Sequence, residues 1–201
     1  MKTVLDVENT VTKRDGKLHL DPYERTNSLV MIGVYVEGKK PKHYTFDHEE
    51  YDCKYEYRKK DCDEIQCILN KTTLLIGHNI NHDLLWLWET GFKYDGAVWD
   101  TMLAEYLLQR AQKEPLSLEA VAERRDLSVK KQDTLKNYMK QGTAISAIPY
   151  EELKEYLYAD LQTTFELYYE QSLDYRDDVN RILMPVVDLT METCVVLSRI
   201  Y

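Results

Sequence analysis

Hydrophobic and polar positions alternate at the start of the chain. In "KTVLDVENT", Leu5 and Val7 fall on one side of an extended backbone, while Asp6 and Glu8 project together on the other. Lys2 to Asn9 therefore reads as a strand. The apolar run "LVMIGVYV" predicts a second strand over Leu29 to Glu37, and "KHYTF" a third, short one. The polar stretch between the first two, "TKRDGKLHLDPYERTN", reads as a loop. Three β-prone segments with short connections predict an antiparallel meander.

The period then changes to that of helices. Lys60 to Asn70 carries Ile65, Ile68 and Leu69 at helical spacing, and "TTLLIGHN" is a short buried strand ending at Asn79. "HDLLWLWETG" reads as a helix stopped by Gly91, "AVWDT" as a brief strand, and "MLAEYLLQR" as a helix. After Pro115, "LSLEAVAER" reads as a helix capped by Ser117. This alternation predicts an α/β layer with parallel strands. Pro149 opens a long helix whose buried stripe is Leu153, Leu157, Leu161, Phe165 and Tyr168. A last helix, about Val179 to Ile200, should kink or restart at Pro185. The charged run "HEEYDCKYEYRKKDCDE" reads as a surface insertion over residues 47–63, with no function assigned.

Length and charge narrow the possible classes. A chain of 201 residues suits one domain of ordinary size, and 44% hydrophobic with 30% charged residues excludes a disordered chain. A net charge of -9 argues against a broad basic face for long duplex, but not against an enzyme that grips a few nucleotides at an acidic, metal-filled cleft. Cys53, Cys62, Cys67 and Cys194 form no C-x-x-C pair and no signal peptide precedes them, so the expectation is free thiols in a reducing compartment. His43 and His48 near the first three leave a zinc site as an alternative, although the spacings match no finger or knuckle. The longest apolar run is too short to span a bilayer, so a soluble, cytoplasmic protein is expected.

Three acidic positions stand apart from the solvated charges. Asp6 and Glu8 lie together on an apolar strand, where unneutralised carboxylates repel unless they are exposed, share a proton or bind cations. Asp83 sits at a helix start after a buried strand, where α/β sheets present ligand groups, although a lone acid there also complements the helix dipole. Tyr156 and Asp160 are one turn apart on one helix face, a spacing equally consistent with a surface hydrogen bond.

Taken in order, D-x-E in "LDVENT", N-x3-D in "GHNINHDLLWL" and Y-x3-D in "YLYADLQTTFEL" resemble the three motifs of the DEDD 3'-5' exonucleases. The third motif places the resemblance in the tyrosine subgroup, because the histidine subgroup would want His where this chain has Glu155. The resemblance implies a ribonuclease H-like α/β fold, with a mixed central sheet of antiparallel meander plus parallel strands, flanked by helices. It also implies that Asp6, Glu8, Asp83 and Asp160 hold two divalent metal ions, Mg2+ or Mn2+, about 4 Å apart for in-line phosphoryl displacement. Asp6 would bridge both ions, Glu8 and Asp160 would complete the site that activates water, and Asp83 would serve the second ion. Tyr156 would orient the attacking water, and Asn79 would sit near the terminal nucleotide. A basic segment carrying Arg124, Arg125, Lys130, Lys131, Lys136 and Lys140 suits either a phosphate track or a solvated helix face.

The C-terminal "RILMPVVDLTMETCVVLSRIY" resembles the junction at which family A DNA polymerases leave their exonuclease domain. The expectation is therefore an exonuclease domain over residues 1–178 and a junction-like helix over 179–201. Such a proofreading domain, of phage or bacterial type, would be a monomer acting on a single-stranded DNA 3' end beside a C-terminal or separate polymerase module. Two alternatives stand beside it: a 3'-5' exoribonuclease resembling ribonuclease D, and a catalytically silent domain that docks a polymerase.

Overall fold

The computed structural model describes residues 1–51, 55–110, 112–127, 133–177 and 180–199. Five strands form the central sheet: β1 (Lys2–Asn9), β4 (Leu29–Val36), β5 (Lys42–Thr45), β6 (Leu74–Gly77) and β7 (Ala97–Asp100), in spatial order β5-β4-β1-β6-β7. β1, β4 and β5 run antiparallel, whereas β6 and β7 join β1 in parallel. This is the expected mixed, ribonuclease H-like arrangement. The apolar run of β4 is buried along nearly its whole length, because it lies inside the sheet with both faces covered.

The stretch between β1 and β4 departs from the loop expected there. It folds a separate two-stranded hairpin, β2 (Thr12–Arg14) and β3 (Lys17–His19). Asp15 (φ 52) and Gly16 (φ 77) form its turn, and this two-residue left-handed pair matches the twist of paired strands. The run read as an insertion is also partly regular, since α1 starts at Tyr55 and continues to Lys71, burying Ile65 and Leu69.

The remaining helices are α2 (Ile80–Glu89), α3 (Thr101–Leu108), α4 (Leu118–Arg124), α5 (Asp133–Lys140), α6 (Tyr150–Asp174) and α7 (Met184–Ser198). Gly91 ends the α2 segment at φ 91, and the Ser117 hydroxyl accepts from the Ala120 N–H at 3.4 Å to cap α4. Pro185 stands in the first turn of α7, which restarts after a short 3-10 turn at Arg181–Leu183. Val187, Met191 and Cys194 of α7 join the same core as β7 and α2.

α6 crosses β1, β4 and β6 and is more deeply enclosed than its predicted stripe implies. Thr163, Thr164, Leu167 and Gln171 are buried along with Leu153, Leu157 and Leu161, while Phe165 is half-buried. Gly33 of β4 makes this close approach possible. A Cβ there would stand 2.7 Å from Leu157 Cγ and 2.9 Å from Leu161 Cδ1, so the helix rests directly on the backbone.

Candidate active site

Gly33 is the cross-strand partner of Asp6, and Met31 that of Glu8. Directly opposed residues share a face, so both carboxylates point toward α6 while Leu5 and Val7 enter the core behind them. The register of β1 with β4 slips between Glu8 and Asn9, a bulge that ends the pairing just past the second carboxylate. Both acids keep partial contact with solvent although protein surrounds them closely, as expected for the floor of a cleft.

Asp83 comes from the first turn of α2, whose start lies at the C-terminal end of β6. It is buried, and its Oδ1 accepts from the Val7 N–H at 2.9 Å, which fixes α2 to the middle of β1. Asp160 is buried on α6, and the Tyr156 hydroxyl one turn earlier donates to its carboxylate. The Tyr156 ring packs beside Val30, Met31, Leu153 and Leu157. Glu155 is exposed and turned away, so Tyr156 is the residue of that segment that meets the acids.

The electrostatics tie these four segments together. Burial pushes the Asp6 carboxyl up to about 6. Burial raises Glu8 well above the usual range, and the charges of Asp6, Asp160 and Asp83 add to it. Asp83 is raised by burial and then by Asp6. Tyr156 is raised by burial and then by Asp160, Glu8 and Asp6, so its phenol stays protonated at any working pH. Glu8 feels the charges of the other three acids, and four carboxylates gathered in this way are a hard-oxygen donor set that suits divalent cations. Among the described residues no three His, Cys, Asp or Glu side chains already stand as a ready-made ligand group.

Other expected residues fare differently. Asn79 has an exposed side chain at the start of α2, in the left-handed region at φ 62, beside a cleft lined by Met102, Leu103, Leu189, Thr193 and Leu197. Lys130 and Lys131 lie outside the described residues, as does the Lys136 side chain. Arg124 and Arg125 are not a phosphate track. Both pair with the buried Glu105, at 3.1 and 2.8 Å, and Arg125 also meets Asp174 at 2.8 Å, tying α4 to α3 and α6. The zinc alternative finds no support either. His43 bonds the hydroxyls of Tyr150 and Tyr158, and His48 bonds the Ile148 carbonyl. Cys67 is exposed, Cys62 half-buried, and Cys53 lies outside the described residues.

Two supporting residues escaped the sequence reading. Asp100, at the end of β7, accepts from the Asn79 and Ile80 N–H groups at 3.0 and 3.1 Å and from Met102 at 2.9 Å, so it caps α2 and α3 together. The strand-Asp-Thr-apolar pattern of "AVWDTML" carries the cap signal for α3, but nothing local reveals the bond to α2. His82 reaches back to Asn9 Oδ1 at 2.8 Å and holds α2 against the end of β1.

Comparison with known proteins agrees with this architecture. The family model described as 3'-5' exonuclease matches residues 43–172, a span that holds Asp83, Tyr156 and Asp160 and begins after Asp6 and Glu8. NrnC of Brucella melitensis with bound Mg2+ superposes with a TM-score of 0.64 at 15% identity, covering 98% of this chain and 83% of that one. NrnC bound to pGG gives 0.66 at 15% identity with the same coverage. No curated protein sequence matches. The family works with two divalent metal ions, and the acids gathered by β1, α2 and α6 are the donors such ions require. The described residues contain no helix long and apolar enough to cross a membrane. The order of its motifs, its mixed sheet and the family match over most of its length make this chain a member of the 3'-5' exonuclease family.

Proposed function

We propose that this chain trims short single-stranded RNA from the 3' end, hydrolysing one phosphodiester bond at a time. The observation that carries the reading is that β1, α2 and α6 bring Asp6, Glu8, Asp83 and Asp160 together, with the Tyr156 hydroxyl bonded to Asp160 and Asp83 bonded to the Val7 N–H. The choice of RNA over a polymerase-linked DNA end is supported by likeness, over 98% of this chain, to a nuclease solved with pGG. The junction-like C-terminal helix is instead packed into the core through Val187, Met191 and Cys194.

Each side chain then has a task. Asp6, Glu8, Asp83 and Asp160 would hold two ions, Mg2+ or Mn2+. When bound, these ions supply Lewis-acid stabilisation of the charge that develops on the phosphoryl oxygens. Burial and the neighbouring carboxylates keep the Tyr156 phenol above its ordinary range, which favours the protonated form. It acts as a hydrogen-bonding group that, with Asp160, fixes the direction of the attacking water. Asn79, exposed at the start of α2 four residues before Asp83, is placed to meet the terminal nucleotide.

The test is hydrolysis of 5'-labelled RNA and DNA of one sequence in Mg2+, Mn2+ or EDTA, read as a ladder. Metal-dependent shortening from the 3' end, faster on RNA and abolished by Asp6→Ala, is the expected result. Faster loss of DNA moves the protein to the proofreading branch. Cleavage of neither strand leaves a docking domain.

A further inference from the structure

We infer that the β2–β3 hairpin is a phosphate-binding arm that holds the substrate strand on the 5' side of the bond being cut. The inference rests on the reading of the chain as a nuclease of single strands.

The hairpin is placed for this. β1 carries Glu8 and ends one residue later, and the arm departs from that end, the same edge of the sheet at which α2 presents Asp83 and Asn79. Its base is fastened there. Asn9 Nδ2 donates to the Leu20 carbonyl at 3.1 Å, and Trp86 Nε1, one turn beyond Asp83, donates to the same carbonyl at 3.1 Å. The Thr12 hydroxyl bonds Thr26 and Asn27, and Asn27 Nδ2 reaches the carbonyls of His19 and Asp21. The base is rigid, yet residues 13 to 18 are all exposed.

The tip lacks the composition of a structural element. Within "TKRDGKLH" there are three cations and one acid, in a chain whose net charge is -9. Arg14 and Lys17 are direct cross-strand partners on one face of a two-stranded ribbon, a like-charge pairing that destabilises a hairpin. Glu24 relieves part of it, 3.3 Å from an Arg14 side chain that is still 62% exposed. Among the described residues Lys13 and Lys17 have no ion-pair partner. Leu18, at 62% exposure, and Leu20, at 46%, stand beside these charges. Paired cations beside exposed apolar side chains, on a stiff stalk at the mouth of an acidic cleft, complement a strand of phosphates and unstacked bases. Such an arm also explains how an acidic protein draws in a polyanion: the attraction is concentrated where the strand enters.

Counterion release makes the arm measurable without catalysis. The Kd of a 5'-labelled single strand of about ten nucleotides is measured in EDTA against salt, for the wild type, Arg14→Gln/Lys17→Gln, and Lys39→Gln/Lys40→Gln at the opposite end of the sheet. Losing two phosphate contacts should flatten the slope of log Kd against log salt by about 1.4, so that between about 50 and 200 mM salt the variant loses about sevenfold less affinity than the wild type. The Lys39/Lys40 control should keep the wild-type slope. The Arg14/Lys17 variant should melt no lower than the wild type, since it removes a repulsion. An unchanged slope in the hairpin variant, or an equal flattening in the control, overturns the arm. A flattened slope in a protein that cleaves no strand keeps the arm and removes the exonuclease reading.

Discussion

Tyr156 shows how one side chain separates binding from turnover. Its ring packs against the apolar cluster that contains Met31 and Leu157, and its hydroxyl bonds Asp160. Tyr156→Phe should therefore leave KM and the half-saturating metal concentration near their wild-type values while kcat drops by about 10²-fold, as expected for a lost orienting contact. Equal damage to both would make the tyrosine a packing residue. Two groups set the pH response at this scale. Asp6 titrates at about 6 in the folded chain against about 4 when unfolded, so in EDTA the folded state binds its proton first and stability falls as pH rises through about 6. His78 works in the opposite sense. Burial between Thr101 and the Leu116 carbonyl holds it neutral, down at about 4, so the stability it lends is present above about 6.5 and is lost as pH falls toward about 4. The two contributions change over nearly the same interval, about pH 4 to 6, with opposite sign and offset one another there, so Asp6→Asn should make the EDTA melting temperature rise more steeply with pH across it, and an unchanged profile would contradict the Asp6 assignment. The acids and Tyr156 were legible in the sequence because strand alternation and helical i, i+4 spacing are local rules. Asp100 and His82 were not, because their partners, Ile80 and Asn9, belong to other elements.

The elements decide how far apart the acids sit. Leu157 and Leu161 of α6 rest on Gly33, directly across from Asp6, so this glycine sets the depth at which Tyr156 and Asp160 approach β1. Gly33→Ala puts a methyl into space already occupied by two buried leucines. It should cost about 1–3 kcal/mol in urea unfolding and reduce kcat by more than the stability loss accounts for, since a shift of about 1 Å in catalytic groups is expensive. Normal turnover in a folded variant would show that the helix height is not critical. Most elements could be read from periodicity because their buried faces repeat. The β2–β3 hairpin could not, because its three-residue strands carry no apolar alternation. Only the Asp15-Gly16 turn announced it. α1 was legible from Lys60 onward through Ile65, Ile68 and Leu69, and only its start at Tyr55 was obscured, by the charged run that precedes them.

At the scale of the whole molecule, four mutually repelling acids are a built-in cost that bound cations offset. Millimolar Mg2+ or Mn2+ should raise Tm at about pH 8 by ligand linkage. A melting point indifferent to both ions would mean that the cleft does not collect them. The ribonuclease H-like sheet was legible as a whole from the change of period along the chain. The Glu105–Arg125–Asp174 lock was not, because it joins three helices that the sequence keeps far apart.

The wide spacing of the site along the chain also sets when it can exist. Asp6 and Glu8 leave the ribosome first and Asp160 roughly ten to thirty seconds of translation later, so throughout that interval the nascent chain carries an incomplete set of the proposed ligands. A 3'-5' exonuclease assembled in this order lacks its third motif until α6 has been made, so a product cut short before α6 should show no cleavage of nucleic acid.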